Sequence, residues 1–265
     1  MTRPTDASSP RPGDTYVQSF ARGLHVVRSF SAEAPRQTLS EVAQRAGLTR
    51  AGARRILLTL QTLGYVETDG RWFRLTPRIL DLGFAYLSSM PIWNLAEPQV
   101  EALVARVKES SSIAVLDGAD IVYVMRVPTH KIMKISLGIG SRLPAFCTSL
   151  GRVLLSGLDD DEVARRLGAE PLTARTRHTV TDPAAVLALV QQARRQGWCV
   201  VNQELEEGLI SVSAPLHGAN GQVAAALNLS GQANRTDATA VQQQLLPPLL
   251  EAAQAISGLM RQRGA

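Results

Sequence analysis

The sequence predicts an α+β chain: an N-terminal winged helix-turn-helix, a linker helix, and a larger antiparallel-sheet domain. Three observations predict it. Two short amphipathic helical patterns adjoin in "TLSEVAQRAGLTRAGARRILLTL", and two strand-like runs around Asp69-Gly70 follow directly. Beyond residue 110 come segments of strand character with helical ones around them, the pattern of a sheet packed by helices. The charge is divided unevenly. Residues 1–88 hold 12 Lys+Arg and 7 Asp+Glu, whereas residues 89–265 hold 16 of each.

At 265 residues the chain is long enough for two domains, and a hydrophobic content of 45% can build a proper core. No apolar run approaches the roughly 18 residues of a membrane helix. Residues 1–19 are polar and rich in Pro, Ser and Thr, and are expected to be a disordered arm rather than a secretory signal. Cys147 and Cys199 form no paired motif, so neither a disulfide framework nor a zinc site is indicated and a reducing cytoplasm is the expected compartment. An excess of five positive charges confined to the first third is the footprint of a small nucleic-acid-binding module, or a chance distribution of a small excess.

The first helix is expected from Phe20, with Leu24, Val27 and Phe30 on one side. Thr38 followed by Glu41 is a capping-box pattern, Leu39, Val42, Ala43 and Ala46 give that second helix its apolar face, and Gly47 ends it. Thr49 is the expected N-cap of the third helix, in which Ala53, Ile56, Leu57 and Leu60 face the core. At about 100° per residue the opposite face carries Ala51, Arg54, Arg55 and Thr62, with Arg50 on its flank. Small residues at the start of such a helix allow close approach to base edges, and arginines bind phosphates or guanine. Gly52, costly inside a helix, fits the same close approach. An ordinary amphipathic helix with a solvated arginine face accounts for this helix alone equally well. The hairpin decides between them: "YVET" and "RWFRL", joined by the two-residue turn Asp69-Gly70, make a wing with Arg71 at its tip and Arg74 beyond, both placed for phosphate or minor-groove contact. Thr49, Arg50, Ala51, Arg54, Arg55, Arg71 and Arg74 are therefore the candidate DNA-binding residues, in a domain spanning residues 20–76.

Residues 77–90 are expected to form the linker helix, with Pro77 in its first turn. Ile79, Leu80, Leu82, Phe84, Tyr86 and Leu87 make it apolar on more than one side, which suits either a dimer contact or packing against its own domains. In residues 91–265, a helix at "IWNLAEPQVEALVARVKES" is expected to precede a hairpin turning at Gly118-Ala119, and "KIMKISLGIG" to continue the sheet. Helices follow at "TSLGRVLLSG", "DEVARRLG" and Pro183 to Gln196, and strands at "WCVVNQE", "ISVSAPLHG" and "GQVAAALNLSG". A terminal helix runs from about Asp237 to Met260, bent or restarted at Pro247-Pro248.

Catalytic patterns are absent from the sequence: there is no G-x-S-x-G, H-E-x-x-H, P-loop or complete G-x-G-x-x-G. His25, His130, His178 and His217 have no metal-ligand spacing, no cofactor is implied, and Cys147 with Thr148 and Ser149 has no base nearby in sequence. Glu204, Glu206 and Glu207 in "ELEEG" read as a solvated loop rather than an acid/base pair. An enzyme is not expected.

The stretch "TLSEVAQRAGLTRAGARRILLTLQTLGYVETDGRWFRLTPRILDLG" resembles the winged helix-turn-helix of the IclR-type bacterial transcription regulators nearly end to end, and the likeness continues through everything after the arm. "LTRAGARRILLTL", "ESSSIAVLDGADIVYVMRVP" and "TSLGRVLLSG" resemble the subgroup that controls protocatechuate and β-ketoadipate catabolism. The resemblance implies a GAF-like effector domain, a linker at residues 77–90, a homo-oligomer on a double-stranded operator, and a small organic acid as effector. RNA polymerase is a further candidate partner, and no membrane partner is expected. It also implies a pocket: Ile132 and Leu143 as apolar walls, the backbone amides of Ser149 and Leu150 toward a carboxylate, and Asn202, Ser211, Asn228 and Ser230 at the polar end. Period-two alternation agrees for Asn228 and Ser230, with Leu227 and Leu229 on the other strand face. Strand serines satisfied by the backbone remain the alternative. Some relatives that bind very small keto acids carry an acidic residue where this chain has Asn202 and a cysteine where it has Ser211, which favours an anionic or phenolic ligand here. Arg126, His130, Lys134 and Arg142 lie near the pocket segments, either solvated or able to pair a second carboxylate or catechol oxygen. Three rival functions remain open: a constitutive DNA-binding protein whose second domain only oligomerises, a regulator of a different small-acid pathway, and an enzyme with a regulatory nucleic-acid domain, against which the lack of a recognisable catalytic pattern argues.

Overall fold

The computed structural model describes residues 13, 16–89, 92–129, 137–235 and 237–263, so most of the arm expected at residues 1–19 lies outside it. The backbone divides into two compact units, Met1–Tyr86 and Leu87–Ala265.

In the first unit, helix α1 (Gln18–Arg28) is followed by β1 (Gln37–Thr38), α2 (Leu39–Arg45), α3 (Arg50–Thr62), β2 (Val66–Thr68) and β3 (Trp72–Leu75). Helix α1 starts two residues before Phe20 and seats Val26 in the core, leaving Leu24 and Phe20 exposed. Packing against α3 selects the side centred on Val26; of the residues expected together on one side, Phe30 packs against this cluster and Leu24 does not. The capping box forms in full: Thr38 accepts from the Glu41 amide, and the Glu41 carboxylate accepts from the Thr38 amide at 2.7 Å. Gly47, with φ +65°, closes α2, and the Leu48 amide reaches back to the Ala43 carbonyl at 2.8 Å. Thr49 caps α3 through the Gly52 amide at 3.1 Å. A Cβ at Gly52 would lie 3.2 Å from the Thr49 hydroxyl, so crowding by the cap gives this glycine a reason internal to the protein. Val42, Ala53, Leu57, Val66 and Phe73 join Val26 in the core.

The hairpin differs from expectation in two respects. Strands β2 and β3 are separated by three residues, Asp69–Arg71, because the Asp69 carboxylate accepts from the backbone amides of Arg71 (3.0 Å) and Trp72 (2.8 Å) and so shapes a longer turn. A third strand, β1, pairs with β3, giving the order β1-β3-β2. Two polar residues carry no alternation from which β1 can be read.

After the 3₁₀ turn Pro77–Ile79, α4 (Leu80–Ser89) contains no buried residue. The second unit then runs α5 (Ile92–Val107), β4 (Ser110–Asp117), β5 (Asp120–Val127), β6 (Arg142–Pro144), α6 (Ser149–Leu155), α7 (Asp160–Leu167), α8 (Pro183–Gln196), β7 (Cys199–Asn202), β8 (Leu209–His217) and β9 (Val223–Gln232). After α9 (Ala238–Ala240), a π turn at Val241–Leu245 leads into α10 (Leu246–Arg263). Pro247 and Pro248 thus open a new helical segment, where their missing amides cost least. Residues 131–136 of "KIMKISLGIG" lie outside the described residues. Residues 137–140 are not strand, Gly140 taking φ +85°, and the edge strand is β6 instead.

The six strands form one antiparallel sheet in the order β6-β5-β4-β9-β8-β7. Its two faces have different characters. Ile210, Val212, Ala214, Leu227 and Leu229 pack against α5 and α10. The opposite face, carrying Ala114, Ile121, Val201 and Ala226, packs against α6 and α8. The ladder between β4 and β5 slips at Val124: Ala114 pairs with Tyr123 and Ile113 with Met125, leaving Val124 as a bulge.

Helix α6 lies so close to the preceding loop that a Cβ on Gly151 would sit 2.1 Å from the Ala145 carbonyl oxygen. Backbone cannot yield as a flexible side chain does. Gly151→Ala is therefore expected to destabilise the protein at or above the upper end of the roughly 1–3 kcal/mol usual for overpacking. The check is a urea denaturation midpoint, and an unchanged midpoint would mean that α6 is not held at this separation.

Candidate functional site

The first candidate site is built by α3 and the hairpin. Thr49, Arg50, Ala51, Arg54 and Arg55 are all exposed on α3. Arg50 and Arg54 line a groove with Arg71 of the turn and with Thr38 and Ser40 at the start of α2. Among the described residues, Arg50, Arg54, Arg55 and Arg71 form no ion pair, although the Glu41 carboxyl, held below its usual range chiefly by hydrogen bonds from Thr38, lies near enough to Arg71 to be lowered by its charge as well. Arg74 differs. It lies on the other face of the hairpin and pairs with Glu67 across the ladder at 2.6 Å. Strand alternation explains this, because Phe73 points into the core and Arg74 away from it. The sequence reading missed Arg36, which pairs with Asp69 at 2.9 Å and lies over the Trp72 ring, its guanidinium carbon 5.5 Å from the centroid. Arg71 approaches the same ring at 5.4 Å. Asp69 is held below the usual carboxylate range, chiefly by the Trp72 and Arg71 amides.

The second candidate site lies between α6 and the sheet. Ser149, Leu150, Ser211, Asn228 and Ser230 come together around one small cavity of about 20 Å³, room for a single water molecule. Their polar groups form two chains. Ser213 donates to Ser149 at 2.7 Å, and Ser149 donates to Ser211 at 2.9 Å. The Asn228 amide donates to Ser230 at 2.8 Å, while its carbonyl accepts from the Ser112 amide at 2.8 Å. Each chain ends on a hydroxyl at the cavity, Ser211 in one case and Ser230 in the other, and these two residues are cross-strand neighbours. A hydroxyl that accepts still has one proton to donate, so both ends suit an oxygen acceptor. At α6 the Thr148 hydroxyl takes the Gly151 amide.

Two expected pocket residues, Asn202 and Leu143, do not join them. Asn202 is exposed: its neighbour Val201 pairs with Ser211 and lines the cavity, and alternation turns Asn202 to the other sheet face. A shift of one residue along a strand changes the face. Leu143 pairs with Ile121 on the edge strand and packs into the α6-side core without lining the cavity. Ile132, with His130 and Lys134, lies outside the described residues. Of the other cations, Arg142 is drawn to Asp117 (2.6 Å) and Asp120 (3.2 Å) at the β4–β5 turn, whereas Arg126 lines the cavity. The sequence reading also missed Tyr123 and Leu205, which line it too.

Glu204 was expected in a solvated loop, but it is buried. The Arg152 guanidinium, 1% exposed, grips its carboxylate with two bonds of 2.7 and 2.6 Å and donates from Nε to the Phe146 carbonyl at 2.9 Å. The partners are 52 residues apart, beyond any local pattern. Cys147 lies at the cavity, and burial first, then the Glu204 charge, pushes its thiol up to about 11. Such a thiol stays protonated at neutral pH and is a poor nucleophile. Among the described residues there is no cluster that could hold a metal ion and no helix long and apolar enough to cross a membrane.

Removing one partner of the buried pair leaves the other charge stranded. Glu204→Gln is expected to cost about 3–5 kcal/mol in urea unfolding, against no more than about 0.5 kcal/mol for Glu207→Gln at the exposed neighbour. Equal effects would remove the ion pair from any structural role.

Comparison with known proteins bears on both sites. Residues 19–70 match the IclR helix-turn-helix domain, and residues 84–258 match the bacterial transcriptional regulator IclR C-terminal domain. The chain is 43% identical over 238 residues to the Pca regulon regulatory protein of Pseudomonas putida, covering 89% of this chain and 82% of that one. A crystal structure from Rhodococcus sp. RHA1 is 48% identical with a TM-score of 0.82, over 92% of this chain and 98% of that one. The crystal structure of an IclR homologue from Microbacterium hydrocarbonoxydans complexed with 4-hydroxybenzoate has a TM-score of 0.80 at 26% identity, over 92% and 99% of the two chains. The two family matches together span most of the chain, from residue 19 to residue 258, and the chain belongs to the IclR family of bacterial transcriptional regulators.

Proposed function

We propose that this protein regulates genes of aromatic-acid catabolism by binding an operator through residues 20–76 and a small organic acid in the domain spanning residues 91–265. The observation that carries the ligand half is the pair of hydroxyls, Ser211 and Ser230, that end two buried hydrogen-bond chains at one cavity. A carboxylate supplies the acceptors they lack. The 4-hydroxybenzoate bound by the Microbacterium homologue and the Pca regulon of the Pseudomonas relative point to protocatechuate, 4-hydroxybenzoate or β-ketoadipate as the class. A ring does not fit in about 20 Å³, so binding moves lining side chains. That movement is where the acid gains a different affinity for two arrangements of the protein, which is the requirement for an effector.

On the DNA side, α3 is the recognition helix. Arg50, Arg54 and Arg71 in the shared groove, with Arg55 beside it, contact the duplex, whereas Arg74 already has an ion-pair partner. Residues 77–90 serve as linker, and the protein acts as a homo-oligomer in the cytoplasm. The exposed side chains of Leu80, Leu82, Phe84 and Tyr86 on α4 are the surface a second copy would cover.

Fluorescence anisotropy on the DNA upstream of the protein's own gene, at fixed salt and with each acid in turn, tests the whole reading. Saturable, competitor-resistant binding that one acid shifts is expected. Specific binding that no acid shifts would favour a constitutive DNA-binding protein, and no specific binding would overturn the reading. Arg71→Ala is expected to lower the salt slope by about one unit, the loss of one phosphate contact, and Arg74→Ala by less. The reverse order would assign the contact to the other face of the hairpin.

A further inference from the structure

Strand β5 carries two polar side chains to the cavity that the serine end does not use. Tyr123 and Arg126 are three residues apart, a spacing that puts side chains on opposite faces of a regular strand. The bulge at Val124 adds one residue and returns Arg126 to the face of Tyr123, so that both line the cavity. Met125, between them, faces the α5 and α10 core instead.

Tyr123 is 5% exposed and belongs to the α6-side core. A buried tyrosine hydroxyl usually has a hydrogen-bond partner. No hydrogen bond of the Tyr123 hydroxyl is found among the described residues, and the oxygen is not among the atoms sealed from solvent without a partner, as suits a side chain that lines the cavity. Burial pushes its ionisation up to about 12, with the charge of Arg126 acting the other way, so the group is a donor at neutral pH. Strands β5 and β8 are three ladder steps apart in the sheet, about 14 Å at roughly 4.8 Å per step. Tyr123 and Arg126 thus approach the cavity from one end and Ser211 from the other, a separation on the scale of a ring with a substituent at each end rather than a two-carbon acid.

We propose that Tyr123 and Arg126 are the specificity-determining end of this pocket: the phenol hydroxyl donates to, and the guanidinium pairs with, an oxygen carried by the effector opposite the carboxylate held by Ser211 and Ser230. This rests on the effector reading above and narrows it to acids with a second oxygen across the ring.

The test is isothermal titration calorimetry of the full chain with benzoate, 4-hydroxybenzoate and protocatechuate. The wild-type protein binds at least one hydroxylated acid about tenfold or more tightly than benzoate, the worth of one well-placed hydrogen bond. Tyr123→Phe keeps the ring and its packing but reduces that preference to a few-fold, while benzoate, which offers no oxygen there, loses little. Arg126→Gln reduces it in the same direction, and Ser211→Ala weakens all three acids alike. A Tyr123→Phe protein that retains the full preference overturns the proposal, as does one that loses all three acids equally; in both cases the Ser211→Ala result still upholds the pocket. Failure of the wild-type protein to bind any acid overturns the pocket reading and this proposal together.

Discussion

A guanidinium buried away from water is the constraint on which the arrangement of the second unit depends. Arg152 projects from α6 into the interior and has to find acceptors there, since an uncompensated buried charge costs several kcal/mol. Glu204 supplies two of them and the Phe146 carbonyl a third. The consequences spread along the chain. The Glu204 carboxylate also accepts from the Val180 amide, and its backbone carbonyl accepts from the Thr179 hydroxyl at 2.6 Å. One ion pair thereby fastens the loop before β8 and the segment before α8 to the helix that roofs the cavity. Leu205, next to Glu204, is consequently held at the pocket. Such a pair is weak evidence for added stability, because its desolvation offsets much of its attraction. What it supplies here is position.

The same helix explains why one sheet face is polar at its centre. Gly151 allows α6 to approach the Ala145 backbone, which brings Ser149 within hydrogen-bonding distance of both Ser211 and Ser213. A buried hydroxyl without a partner is costly, and the chains of two and three groups give every member a partner, leaving only the last hydroxyl of each with a proton still to donate. The opposite sheet face is filled mainly by Val, Leu and Ile against α5 and α10. The polar chains and the apolar packing against α5 and α10 are therefore separated by face, within strands that alternate residue by residue.

In the first unit the arginines separate by whether they are already paired. Arg36 and Arg74 have carboxylates within 3 Å, whereas Arg50, Arg54 and Arg71 line a groove without one. Positive charge is useful to an incoming phosphate only where it is not neutralised beforehand. The turn adds rigidity, because the Asp69 carboxylate holds the Arg71 and Trp72 amides and draws Arg36 beside the Trp72 ring.

The sequence by itself determined whatever local rules govern. The Thr38–Glu41 capping box, the Thr49 cap, the Gly118-Ala119 turn, the stop at Gly197 and the alternation through Leu227, Asn228, Leu229 and Ser230 were all readable because each depends on residues a few positions apart. Tertiary structure decided the rest, for reasons that can be named. Asn202 and Val201 are equally plausible pocket residues until the register with β8 fixes which one faces α6. Strand β1 exists only because β3 offers an edge. A bulge at Val124, invisible to a period-two pattern, is what carries Arg126 to the cavity. Glu204 reads as a surface carboxylate until a guanidinium 52 residues away meets it. Short-range hydrogen bonding and periodicity are written into neighbouring residues, but which strand face is buried, and which charges meet, is settled only when distant segments pack.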